Sequence, residues 1–212
     1  MVLTFSQLGI SRLKKHFLMD EKSVKTFENS LCDDKGILML IPHFCHVDAL
    51  CLLPKFLGQS NVIHSLYRPL KNKDIDSAVK SARTRFGVKT IDRKKNGMVK
   101  TLNVLKRKET LAMLFDQNAG GAGTRLSFMG RECSCTTLPD ILDQKYKPRI
   151  LFVYTRRIGF WRSCIEVEEM EPLTGGQLVI EKANAWLEAK LRSDPTLADT
   201  DGDGLTDDEE YE

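Results

Sequence analysis

The chain has 212 residues, 42% of them hydrophobic, enough to bury a sizeable core in one domain. Its formal charge of +3 hides an asymmetry: nine of the 29 acids lie at or after Asp194, so the body carries 32 basic against 20 acidic residues, a net of +12. No apolar run approaches the roughly 18–20 residues needed to cross a bilayer, no secretory signal pattern is read, and there is no zinc-finger spacing, aromatic–basic RNA motif or long basic arm. These features argue against a nucleic-acid binder, and the basic body suits anionic partners.

The lead-in, residues 1–35, opens with an amphipathic basic stretch from Leu3 to Leu18. Such a stretch suits either an anionic membrane surface or the protein's own domain. Residues 36–42 form a continuous apolar run and read as a buried strand, which Pro42 ends because it has no N–H for a sheet ladder. His43 follows at the strand end. The stretch 46–57 has apolar residues at helical spacing and places Asp48 in its first turn. A carboxylate there is expected to accept the imidazole N–H, leaving the other ring nitrogen free to take a proton from a hydroxyl. Cys45, between His43 and His46, offers a competing nucleophile and with it a hydrolase reading.

Strand 61–67 runs into Arg68-Pro69, and Asn72 is placed to cap a helix over 73–86. Strand 88–92 runs into Arg93. A helix over 97–107 leads to strand 110–115, which ends in Asp116-Gln117. Gly120-Gly121-Ala122-Gly123 is a flexible loop beside that turn and a candidate lid or acceptor loop, but it lacks any nucleotide-binding spacing. A helix over 137–146, strands over 149–156 and 162–168, and a helix over 177–192 complete the body. Alternating strands and helices argue an α/β sandwich around a mostly parallel sheet flanked by helices. Arginines recur near element ends, the pattern of functional groups gathered at one rim of a sheet. The six cysteines are scattered, without disulfide-framework or zinc spacing, and suit a reducing compartment.

The acidic segment 193–212 is a separate signal. Asp199, Asp201, Asp203, Leu205 (through its carbonyl), Asp207 and Glu210 match the ligand positions of a Ca2+ loop, with Gly204 at the sharp turn. The segment resembles a thrombospondin type 3 or dockerin calcium repeat. It raises a second class of function, a calcium-binding surface or interaction protein.

Several motifs occur in a telling order. They are His43-Phe44-Cys45-His46-Val47-Asp48, Tyr67-Arg68-Pro69, the strand running into Arg93, Asp116-Gln117, Phe128-Met129-Gly130 with Thr136-Thr137, and the strand ending at Arg156-Arg157. From about Gly36 to Arg192 the chain resembles the lauroyl/myristoyl acyltransferases of lipid A biosynthesis, within the glycerolipid acyltransferase superfamily. The resemblance implies a glycerolipid acyltransferase-like sandwich over 1–192. It implies transfer of a fatty acyl chain from an acyl carrier protein thioester to a hydroxyl of an anionic lipid acceptor, with no cofactor. His43 and Asp48 would be the general-base pair, and Arg68, Arg93, Asp116 and Gln117 would hold substrate. The implied place of work is the cytoplasmic face of the inner membrane, as a peripheral protein. Glycerophospholipid acyltransferase is the alternative within the class; the Pro-Glu-Gly-Thr-Arg motif of those enzymes has no counterpart after Phe115.

Overall fold

A computed structural model describes residues 8–58, 62–94, 96–194 and 197. The calcium-loop residues 199–210 lie outside the described residues.

The centre of the fold follows from the apolar run at 37–41. All five residues of β2 (Ile37–Ile41) are buried, as expected of a parallel strand covered on both faces. Its side chains alternate between two cores. Leu38 and Leu40 join one cluster, while Ile37, Met39 and Ile41 join the other. Around β2 stand β3 (Ile63–Tyr67), β4 (Lys89–Asp92), β5 (Thr110–Leu114), β8 (Arg149–Gly159), β9 (Arg162–Glu169) and the short β1 (Phe17–Met19). They form one seven-stranded sheet in the order β1-β9-β8-β2-β5-β3-β4. The block β8-β2-β5-β3-β4 is parallel throughout, and β9 turns back antiparallel on β8. The expected mostly parallel sheet flanked by helices is therefore the fold.

Helices cover both faces. On the first lie α5 (Gly97–Lys106), α6 (Leu138–Tyr146) and α7 (Val179–Ser193), represented in the core by Val104, Leu142 and Leu187. On the second, α2 (Glu21–Ser30) buries Phe27, and a 3-10 turn (Val47–Leu52) running into α3 (Leu53–Phe56) buries Leu50 and Leu53. The helix read over 46–57 is thus split. His46 takes a left-handed backbone (φ 54°), and Pro54 stands in the first turn of α3, where its missing N–H costs no helical bond. Asn72 caps α4 (Lys73–Thr84) as expected, its side chain accepting from the N–H groups of Asp74 and Ile75 at 3.0 and 3.1 Å.

α1 (Ile10–His16) resolves one of the two readings of the lead-in for its described part. Leu13 is buried and packs in a small core with Phe17, Ala49, Leu52 and Phe86. The apolar side of this helix is therefore committed to the domain. No described helix is long and apolar enough to cross a membrane.

One element was not anticipated. β6 (Thr124–Phe128) and β7 (Arg131–Cys135) form a separate antiparallel hairpin between β5 and α6. The hairpin ties down the loop read as a candidate lid. Ser134 Oγ donates to the Gly120 carbonyl at 2.5 Å, and the Ala119 N–H donates to the Ser134 carbonyl at 2.9 Å. Gly123 lets the two segments meet, because a Cβ there would stand 2.6 Å from the Cys135 carbonyl oxygen and 2.3 Å from Ser134 Oγ. We expect Gly123→Ala to lower stability by about 1–3 kcal/mol, as overpacking does. Urea denaturation measures this, and an unchanged midpoint would show that the loop yields freely.

Candidate active site

Parallel pairing sets the site. β2 and β5 lie side by side with Ile41 opposite Leu114. Two residues further on, the same register brings His43 opposite Asp116. The segment after β2 leaves over one face of the sheet and the segment after β5 leads to α6 on the other. Chains diverging in this way from neighbouring strand ends open a crevice at the carboxyl rim of an α/β sheet.

Asp116 grips His43 twice. Its Oδ1 lies 2.6 Å from Nδ1 of the imidazole, and its Oδ2 accepts from the His43 backbone N–H at 2.6 Å. The ionised carboxylate is an acceptor only, so Nδ1 carries the proton and Nε2 keeps its lone pair. The Gln117 amide nitrogen lies 3.2 Å from Nε2 and donates to it. The imidazole is thus oriented, with a basic nitrogen turned toward a displaceable donor. The His43 side chain is 35% exposed and that of Asp116 is 17% exposed, so the pair is reachable but sheltered.

The expected partner of His43 differs. Asp48 does occupy the first turn after the strand, but its Oδ1 accepts from Nε and Nη2 of Arg83 on α4, at 3.2 and 3.0 Å. A local spacing of five residues suggested Asp48, while the parallel ladder supplied Asp116 from 73 residues away. Arg83 is accordingly held between Asp48 and the face of Tyr67, whose ring centroid lies 5.7 Å from its guanidinium carbon. It is no simple solvated charge.

Arg68 and Arg93 lie on the same rim. Arg68 follows β3, which neighbours β5, and Arg93 follows β4, its N–H donating to the Tyr67 carbonyl at 3.0 Å. Sheet spacing alone puts their strands about 10 and 14 Å from that of His43. Both are exposed. Asp116 accepts from His43 rather than from either arginine.

A cleft of about 360 Å³ opens beside His43. Phe44, Phe115 and Phe128 line it with Leu187 and Leu191 of α7, and Cys133, Cys135 and Asn184 add smaller walls. This size and apolar lining suit a small-molecule or chain-binding pocket. The hairpin went unread in the sequence, and α7, read as a helix over 177–192, was not read as a wall of the site. The run Ala183, Leu187, Leu191 at four-residue spacing was the available signal for α7.

α7 is pinned to the sheet by an unusual network. The Trp186 ring stacks on Phe152 at 4.1 Å, and its Nε1–H donates to Glu168 at 3.0 Å. Lys190 donates to the same carboxylate at 2.5 Å and to the Tyr154 hydroxyl at 3.1 Å. Burial alone would raise the Glu168 carboxyl, but hydrogen bonds from Lys190, Tyr154 and Trp186 outweigh it and hold it below the usual carboxylate range. Burial, then the hydrogen bonds to Glu168 and Glu166, push the Tyr154 phenol well above its ordinary value. Tyr154 meets Phe44 of the cleft edge-on at 5.9 Å, so this network also braces the wall next to His43.

Cys45 cannot serve as the nucleophile in this arrangement. It is fully buried, burial pushes its thiol up despite the nearby Arg157, and its Sγ faces the Thr155 carbonyl at 3.7 Å. His46 also points away from the cleft, its Nδ1 lying 2.7 Å from Ser163 Oγ.

Residues 4–162 match the family model described as bacterial lipid A biosynthesis acyltransferase. The chain belongs to this family. The match includes β2, β5, the hairpin and β8, and so both residues of the His43–Asp116 pair. It starts well before Gly36, where the sequence motifs begin, and stops before α7. No curated protein matches the chain. Family membership supports an acyltransferase role and a lipid acceptor.

Proposed function

We propose that the chain transfers a fatty acyl group from an acyl carrier protein thioester to a hydroxyl of a lipid A precursor, with His43 as general base and Asp116 as the residue that orients it. The observation that carries this is His43, hydrogen-bonded twice to Asp116 at the edge of an apolar cleft, with the Gln117 amide rather than a nucleophile against its Nε2. The acceptor hydroxyl displaces Gln117 from Nε2 and gives its proton to that nitrogen as its oxygen attacks the thioester carbon. Asp116 stabilises the imidazolium as charge develops. The Gln117 amide, released from Nε2, donates to the developing oxyanion. Collapse breaks the carbon–sulfur bond, and the departing thiolate recovers the proton from His43.

The fatty chain lies in the cleft between the β6–β7 hairpin and α7. Arg68 and Arg93 hold phosphate on the acceptor side, since a planar guanidinium binds two oxygens at once. The protein works as a peripheral enzyme on the cytoplasmic face of the inner membrane.

The acidic tail stands apart from this chemistry. Its loop, Asp199, Asp201, Asp203, Leu205, Asp207 and Glu210, carries the ligand pattern of a Ca2+ site and takes no part in transfer. Truncation after Asp194 is expected to leave transfer intact, or slightly raised on anionic vesicles. Parallel calcium and activity titrations of both forms check this; calcium-dependent activity lost on truncation would make the tail a regulator.

Purified protein incubated with an acyl carrier protein thioester and a panel of lipid acceptors tests the proposal. We expect equal amounts of freed thiol and acylated lipid, with a phosphorylated disaccharide lipid preferred over glycerol phosphate lipids. Free fatty acid without acylated lipid would make the protein a hydrolase and overturn the reading.

A further inference from the structure

The β8–β9 hairpin ends in a two-residue turn, Phe160-Trp161, between Gly159 and Arg162. Tight hairpin turns favour Gly, Asn or Asp, which tolerate positive φ and solvate well. Here Phe160 is 84% exposed and Trp161 53%, with Ile158 also exposed beside them. Trp161 has φ 56°, a left-handed backbone that bulky residues rarely adopt. A strained turn carrying one bare and one half-exposed aromatic ring is costly in water and calls for an apolar partner.

The Trp161 side chain is not loose. Its indole stacks against His46, ring centroids 6.2 Å apart, and its carbonyl accepts from His16 Nδ1 at 3.1 Å. His16 ends α1, so α1 stands against the base of the turn. Leu13 commits the apolar side of α1 to the core, leaving Arg12, Lys14 and Lys15 exposed. Arg162 adds a further exposed cation at the turn. Neither 10–17 nor 156–163 contains an acidic residue.

We propose that the Phe160-Trp161 turn and the basic face of α1 together dock the protein on an anionic phospholipid bilayer. Aromatic rings of this kind settle at the water–hydrocarbon boundary, and lysine and arginine beside them are drawn to anionic headgroups. An acidic protein would meet the cations but gain little from two protruding rings at a hairpin tip, so the combination favours lipid.

The placement gives the docking a use. β8 runs parallel to β2 with Leu40 opposite Phe152, which puts Thr155 level with His43. β8 continues four residues beyond that level, about 13 Å at the rise of a strand. The turn therefore projects past His43 from the same rim of the sheet. With the turn seated in the headgroup layer, the mouth of the cleft faces the bilayer. This last consequence rests on the proposed lipid acceptor; the docking itself does not.

Vesicle flotation of the full chain tests the docking with lipids that are not acyl acceptors. Phosphatidylcholine vesicles are compared with vesicles of phosphatidylcholine mixed with phosphatidylglycerol. We expect binding to the mixed vesicles that weakens with salt. It should fall about tenfold or more in F160S/W161S, and similarly in K14E/K15E. The substituted side chains are exposed, so circular dichroism should show unchanged folding in both; the two variants fail independently if either misfolds. Equal binding by wild type and both folded variants, or no binding by wild type, overturns the docking. So would retained vesicle binding with lost affinity for acyl carrier protein, which would make this a protein-docking face. Vesicle binding without acyl transfer would count against the proposed function alone, and transfer without binding against the docking alone.

Discussion

His43→Ala is expected to lower acyl transfer by about 10²–10⁴-fold, the range typical of a positioned general base. The imidazole stands at a rim, 35% exposed, and its main polar partners are Asp116 and Gln117. Its loss leaves β2 and both cores untouched, so thermal unfolding should change little. The loss should fall on kcat rather than KM, because Nε2 contributes mainly as the proton moves. Full turnover in a folded His43→Ala protein would remove the base from this site.

Asp116→Asn is expected to cost a similar amount, about 10²–10⁴-fold, although an amide fits the same space. An Asn side chain can offer N–H where the carboxylate only accepts, which favours the wrong imidazole tautomer and no longer balances the imidazolium. Asp48→Asn should behave differently. It removes the counter-charge of Arg83, a partly exposed pair worth about 1 kcal/mol or less, and should change kcat by about tenfold or less. Steady-state kinetics of the two variants side by side separates the carboxylates. A large loss in Asp48→Asn with near-normal Asp116→Asn would return the orienting role to the local His–Asp spacing.

The difference between these two aspartates shows what the sequence could and could not disclose. The strands were legible because a buried parallel strand must be a continuous apolar run; 37–41 and 110–114 are almost nothing else. Asp116-Gln117 was legible as the end of such a strand, and Arg68 and Arg93 as residues that follow the more polar β3 and β4; all stand on the rim where His43 stands. Which acid meets the imidazole was not legible, because it depends on register between strands far apart in sequence. The β6–β7 hairpin was missed for another reason. β6 alternates half-buried and exposed residues, and β7 runs from the exposed Arg131 and Glu132 to the buried Ser134 and Cys135, so no apolar run marks either. The helix over 46–57 was read from apolar spacing that a 3-10 turn and one turn of α-helix satisfy almost as well. α1 was read as amphipathic, but spacing alone does not say whether lipid or the domain covers the apolar side. Leu13 in the core answers that.

The central claim is that His43 and Asp116 act as one unit in acyl transfer, and the double variant H43A/D116N measures this most directly. Residual transfer is determined for each single variant and the double under the same acyl carrier protein thioester and acceptor concentrations. If Asp116 works only through the imidazole, removing it from a protein that already lacks His43 costs nothing more. The double variant should then match the worse single variant, the non-additivity expected of groups that share one role. Losses that multiply would show the two residues acting independently, and would contradict the account.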